Sequence, residues 1–267
     1  MRRGSWLLAA ASLTLSLCAG AAVPQRVVSL DYCADQFVLE FVAPASIAAL
    51  SPDATEPFSY LREQAAGKPQ VRPLAEDVLL LQPDLVVASY GADDAFARLL
   101  DSAGIPLQRI GWIDSLAALR TNLLEVGVAL GAAGQAQALH DDFDARLAAL
   151  AAKPSSRQPR VLYVTPGGVT AGTGTVVDEL LRAAGLRNFS TRPGWQPLPL
   201  ERLAYEVPDA VVHASFVADQ HPWSAARHPL LQERLAGLPS VSLPGAWTAC
   251  GGWFLIEAIE AMAVLRE

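Results

Sequence analysis

The chain has 267 residues, a formal charge of −7 and 52% hydrophobic residues. An acidic balance of this kind lacks the basic patches that nucleic acid requires, and the hydrophobic content excludes intrinsic disorder. The length admits one large domain or two small ones, each able to bury a core.

Residues 1–22 read as an export signal. Arg2 and Arg3 give a positive start, residues 6–17 are apolar but too short to span a bilayer comfortably, and small residues follow up to Pro24. The mature chain is expected to begin near Ala22 or Val23 in the periplasm, with a charge of about −9 once Arg2 and Arg3 are gone. Cys18 follows Leu17, a poor setting for lipidation. Only Cys33 and Cys250 would remain after cleavage. In an oxidising compartment they could form a disulfide, ligate a chelated metal, or stay as two separate thiols.

In chain order, residues 26–30 predict a strand, and Asp31 caps a helix that runs to Phe41. Residues 47–50 predict a second strand. A helix over 76–81 is stopped by Pro83, and a buried strand over 84–89 follows. A helix over 93–102 and a strand over 107–110 complete the first half, residues 23–113. This alternation predicts an α/β lobe built on parallel sheet. Residues 114–153 contain no proline and carry leucines at helical spacing. They predict one bridging helix about 60 Å long, weakened in its middle by Gly127, Gly131 and Gly134. Residues 154–267 restart the pattern with a strand over 160–165 and a helix from Thr175, which stands in capping-box spacing with Asp178. The string EDVLLLQPDLVV, headed by Glu76, is echoed by ERLAYEVPDAVV, headed by Glu201. In both, glutamate precedes a Pro-Asp by seven positions and a Val-Val strand follows, which predicts two similar Rossmann-like lobes joined by the long bridging helix.

Catalytic signatures such as G-x-S-x-G and H-E-x-x-H are absent from the sequence, so no catalytic residue is assigned. The glycine-rich loop 167–175 lacks a phosphate-loop ending and reads as a tight turn beside the cleft. His140 lies among aspartates on a solvated face, and His213, His221 and His228 all fall in the second half. A resident metal or cofactor is therefore not expected. The aromatics are more telling. Tyr32, Tyr90, Trp112, Phe216, Trp223 and Trp247 each follow a predicted strand's carboxyl end, where open α/β sheets bind ligands. Trp195 sits in a Gly/Pro loop. Such rings offer broad apolar contact with a polar tip, and Asp31 and Arg192 are candidate polar contacts.

The chain resembles the class III periplasmic binding proteins, which carry ferric siderophores, haem or cobalamin to ABC importers. The resemblance is carried by RVVSLDYCADQFVLEFV, AEDVLLLQPDLVVASYG, the 114–153 segment, TAGTGTVVDELLRAAGLRNF and PGAWTACGGWFLIEAIEAMA. It implies a monomer with a rigid helical hinge that binds a metal chelate and delivers it to a permease dimer with ATPase subunits. It places Tyr90 and Trp195 where aromatics meet a corrinoid. It also implies that Glu76 and Glu201, one per lobe, pair with arginines of the two permease subunits. An arginine cluster of the kind that traps anionic chelates is not visible, which favours a corrinoid, or next a ferric hydroxamate. Two other classes stay open: an enzyme acting on a chelate in the cleft, and a sensory binding module without a transporter.

Overall fold

The computed structural model describes residues 23–153, 157–215 and 224–266. The export segment 1–22, and Phe216, His221 and Trp223, lie outside them. In the first half β1 (Val27–Ser29), α1 (Tyr32–Phe41), β2 (Ile47–Ala49), α2 (Arg62–Ala65), α3 (Ala75–Leu80), β3 (Leu85–Ala88), α4 (Asp94–Ser102) and β4 (Leu107–Arg109) follow one another. The four strands form a parallel sheet ordered β2-β1-β3-β4. Its central strands are apolar on both faces because both are covered. Val27 and Val87 join one buried cluster with Phe37, Val38 and Leu50, while Val28, Val86 and Ala88 join another with Phe96 and Leu100.

Next come α5 (Leu116–Ala129) and α6 (Ala133–Ala151). The second half then supplies β5 (Arg160–Val164), β6 (Val169–Ala171), α7 (Val176–Ala183), β7 (Arg187–Asn188), β8 (Trp195–Pro197), α8 (Leu200–Leu203), β9 (Ala210–Ser215), α9 (Pro229–Leu235), β10 (Ser240–Pro244), α10 (Gly245–Thr248) and α11 (Leu255–Ala263). Its main sheet is parallel and ordered β7-β5-β9-β10, the same winding as the first. An antiparallel ribbon, β6 with β8, is added to it.

The echo between the halves has a physical core. Asp84 accepts from the Arg26 backbone N–H at 2.9 Å and Asp209 accepts from the Arg160 N–H at 2.7 Å. The same aspartates donate their own N–H to the Arg26 and Arg160 carbonyls. Each Pro-Asp thus clamps the start of one central strand against the next. The arginines reach on to the carbonyls that end the preceding turn, Arg26 to Leu81 and Arg160 to Val207.

The single rod expected over 114–153 is corrected to two helices that pack antiparallel. Gly131 takes a φ of +74°, which ends α5. Gly127 then lies so close to α6 that a Cβ there would overlap the Ala136 Cβ, and Arg120 pairs with Asp144 at 2.7 Å near the other end. The glycines are therefore a turn and a close crossing, where the leucine period alone suggested continuity. The bridging role falls on the pair. Leu123, Val126, Leu130 and Ala136 pack in the first lobe's core, and Leu119, Phe143 and Leu150 in the second's. With 19 residues, α6 covers about 28 Å.

The chain crosses back near its end. Trp253 and Phe254 join the first lobe's core, beside Phe37, Phe41 and Tyr60, whereas Leu255, Ile256, Ile259 and Met262 on α11 fill the second's. Among the described residues no helix is long and apolar enough to cross a membrane.

Candidate ligand cleft

Parallel winding places all carboxyl ends of a sheet on one edge. On the first lobe that edge carries Leu30–Tyr32 after β1, Ser89–Tyr90 after β3 and Gly111–Ile113 after β4. On the second it carries Thr165 after β5 and Gly245–Cys250 after β10. Cys33 and Cys250 are joined in a disulfide with Cα atoms 5.4 Å apart, so the two edges face each other. Ile113 strengthens the same seam: a Cβ on Gly251 would collide with it, and its side chain packs against both cores.

Asp31 organises the first wall. Its carboxylate accepts from Ala34 N–H at 2.9 Å, Ser89 N–H at 2.7 Å and Tyr90 N–H at 3.0 Å, and the Ser89 hydroxyl donates to it as well. At 3% exposure it is saturated inside the lobe. Asp31, expected from sequence as a polar ligand contact, caps α1 and pins the β3 loop, and so positions Tyr32 and Tyr90. Those rings meet edge to face at 5.8 Å, and Tyr32 also meets Phe58 at 4.7 Å. Burial pushes both tyrosines well up from the ordinary phenol value, and the carboxylates of Asp31 and Asp53 push further in the same direction. The pair is therefore neutral at any physiological pH.

The opposite wall rests on the ribbon. The glycine-rich loop holds no phosphate cradle; it turns the chain into β6, and Gly172 lets the strands close. A Cβ there would overlap the Arg192 carbonyl, while Gly172 N–H donates to the Gly194 carbonyl at 2.9 Å. Trp195 sits opposite Ala171 in this ribbon, half exposed, with its edge against the buried Tyr163 of β5 at 6.2 Å. Arg192 is exposed in the loop that leads into β8. Trp112 is 85% exposed after β4, and Trp247 on α10 is half-buried against the second core. Phe216 and Trp223 fall outside the described residues. Sequence reasoning passed over Phe58 and Asp53. Both lie in the loop after β2, and no strand-end signal marks them.

His213 lies within β9, beside a cavity of about 710 Å³ shared with Thr165, Arg227 and Leu231. Burial holds this imidazole below the usual histidine value. Glu76 and Glu201 are both exposed, in the first turns of α3 and α8.

The sequence is similar to a curated protein, and the fold to solved structures. The curated cobalamin-binding protein of Halobacterium salinarum is 29% identical over 197 residues, which are 71% of this chain and 53% of that relative. The chain thus spans about half the length of the curated relatives it matches. A periplasmic heme-binding protein from Pseudomonas aeruginosa is 26% identical, superposes with a TM-score of 0.68 and covers 90% of this chain and 92% of its own. The periplasmic heme-binding protein HutB of Vibrio cholerae, 21% identical, shares the fold with a TM-score of 0.71, over 90% of this chain and 98% of its own. The family model described as periplasmic binding protein matches residues 27–236, and the chain belongs to that family.

Proposed function

We propose that the protein captures a neutral or weakly charged metal chelate, a corrinoid before a ferric hydroxamate, and passes it to an ABC importer. The observation that carries this reading is the Tyr32–Tyr90 pair, two neutral phenols whose neighbouring charges are the carboxylates of Asp31 and Asp53. Neutral phenols donate hydrogen bonds to amide carbonyls, which line the rim of a corrinoid. Indole faces such as Trp195 suit its flat apolar surface. Haem is the competing cargo, since the solved relatives above are named for it, but the buried Asp31 carboxylate behind the phenols disfavours its propionates. The curated relative named for cobalamin supports the same choice.

A tryptophan-fluorescence titration with cyanocobalamin, haemin and ferrichrome tests this. Cyanocobalamin is expected to bind with a Kd of about 1 μM or below, roughly −8 kcal/mol, and Tyr90→Ala to weaken it by about tenfold. Haemin binding tighter than cyanocobalamin would overturn the corrinoid, and stabilisation by bare divalent metal alone would overturn the chelate.

On this reading residues 1–22 direct export and are cleaved, and the mature monomer works in the periplasm without catalysis. N-terminal sequencing of the periplasmic protein, expected to start near Ala22 or Val23, checks the first part. Glu76 and Glu201 dock on arginines of the two permease subunits, where arginine–carboxylate pairs give oriented bidentate bonds. Replacing both by alanine is expected to leave ligand affinity unchanged and to lower uptake.

A further inference from the structure

The two echoed segments carry a second matched feature beyond their glutamates. Four residues after Glu76 stands Leu80, and four after Glu201 stands Tyr205. Leu80 is 82% exposed and Tyr205 is 90% exposed, each among the most exposed large hydrophobic side chains of its lobe. A single exposed leucine or tyrosine needs no explanation, since surfaces carry many. A coincidence of register does. The residues between match in burial: Val78 and Leu203 are both fully buried, and Leu79 and Ala204 both partly so. The equivalent clamps of Asp84 on Arg26 and of Asp209 on Arg160 hold the two segments in the same relation to their sheets. Each lobe therefore presents an exposed carboxylate in the first turn of a short helix and a bare hydrophobic side chain four residues on, Leu80 at the end of α3 and Tyr205 in the turn just after α8.

We propose that Leu80 and Tyr205 are the apolar anchors of a two-point docking surface whose occupant is a membrane permease with two equivalent subunits. Each subunit would present a cation beside a shallow apolar socket. This rests on the docking reading of Glu76 and Glu201. Duplication carries it, since a partner built of two equivalent subunits presents the same contact twice, and a two-lobed chain meets it with one copy per lobe. The carboxylates orient the encounter, and the buried apolar groups slow dissociation.

The test measures binding of the purified protein, loaded with cyanocobalamin, to its host's permease–ATPase complex in lipid nanodiscs. The variants are Leu80→Ser with Tyr205→Ser, and Glu76→Ala with Glu201→Ala. Far-ultraviolet circular dichroism and cyanocobalamin affinity serve as fold controls, and a Leu80→Lys, Tyr205→Lys pair serves as a second probe of the same positions. We expect the serine pair to weaken docking by about tenfold, with cyanocobalamin affinity within about twofold of the parent. The lysine pair should weaken docking at least as much. Docking unchanged in the serine and lysine pairs but weakened in the alanine pair would overturn the apolar anchors and leave the glutamate contacts standing. Docking unchanged in all three would remove the docking surface itself, and the anchors with it.

Discussion

Asp35 is a carboxylate with no solvent. It is fully buried one turn into α1, where it accepts from the Ser51 N–H at 3.0 Å and the Ser51 hydroxyl at 2.6 Å. Burial outweighs those hydrogen bonds and raises its pKa to about 6, with Asp31 adding to the rise. The folded value lies above the unfolded one, so the native state holds the extra proton between them. The associated stability is fully present below about pH 4 and is lost as pH rises through about 6. We expect Asp35→Asn, which keeps an acceptor for Ser51, to flatten this dependence. The stability of the parent relative to the variant should fall by up to about 3 kcal/mol from pH 4 to pH 7, read from urea unfolding at each pH. A constant difference across that range would refute the assignment. Its neighbour Asp31 shows what sequence can reveal at this scale. Its capping role was legible from its place before a helical period. Its hold on Ser89 and Tyr90 was not, because those partners lie 58 and 59 residues away.

Among the elements, the β6–β8 ribbon depends on one atom's absence. With Gly172 replaced by alanine, the added Cβ meets the Arg192 carbonyl, and the strands must separate. Trp195 would shift with β8. Gly172→Ala is expected to cost about 1–3 kcal/mol of stability and to weaken cyanocobalamin binding, followed by chemical denaturation and by ligand titration. Parent-like values in both would show that the ribbon does not position the indole. The α5–α6 hairpin makes a parallel case. Gly127 abuts Ala136, so Gly127→Leu would push the helices apart and should lower stability by about 2–3 kcal/mol, measured by the same unfolding. The period of the leucines identified helix correctly over both stretches. The turn at Gly131 could be read from sequence as a weak point, but the antiparallel return needed the Gly127–Ala136 and Arg120–Asp144 contacts to declare it.

For the whole molecule, two lobes of the same winding are tied together by the hairpin, by the Trp253–Phe254 crossing and by the Cys33–Cys250 bridge, whose ends are 217 residues apart in sequence. Closing so long a loop restricts the unfolded chain strongly, and its loss is expected to lower stability by about 2–5 kcal/mol. Cys33→Ser with Cys250→Ser, compared with the parent by thermal unfolding at fixed ligand concentration, measures this. A Tm equal to the parent's would contradict it. The sequence by itself determined the α/β class, the doubled plan, the strand-end places of Tyr32, Tyr90, Trp112 and Trp247, and the two exposed glutamates, because local period, capping and internal echo are short-range signals. Only the tertiary structure decided that the two cysteines bond, that Asp31 serves the interior, that Phe58 and Asp53 join the tyrosine wall, and that the long apolar segment turns back on itself. Each of those outcomes depends on which distant groups the packed core brings within a few ångströms, and that proximity is set by the fold as a whole.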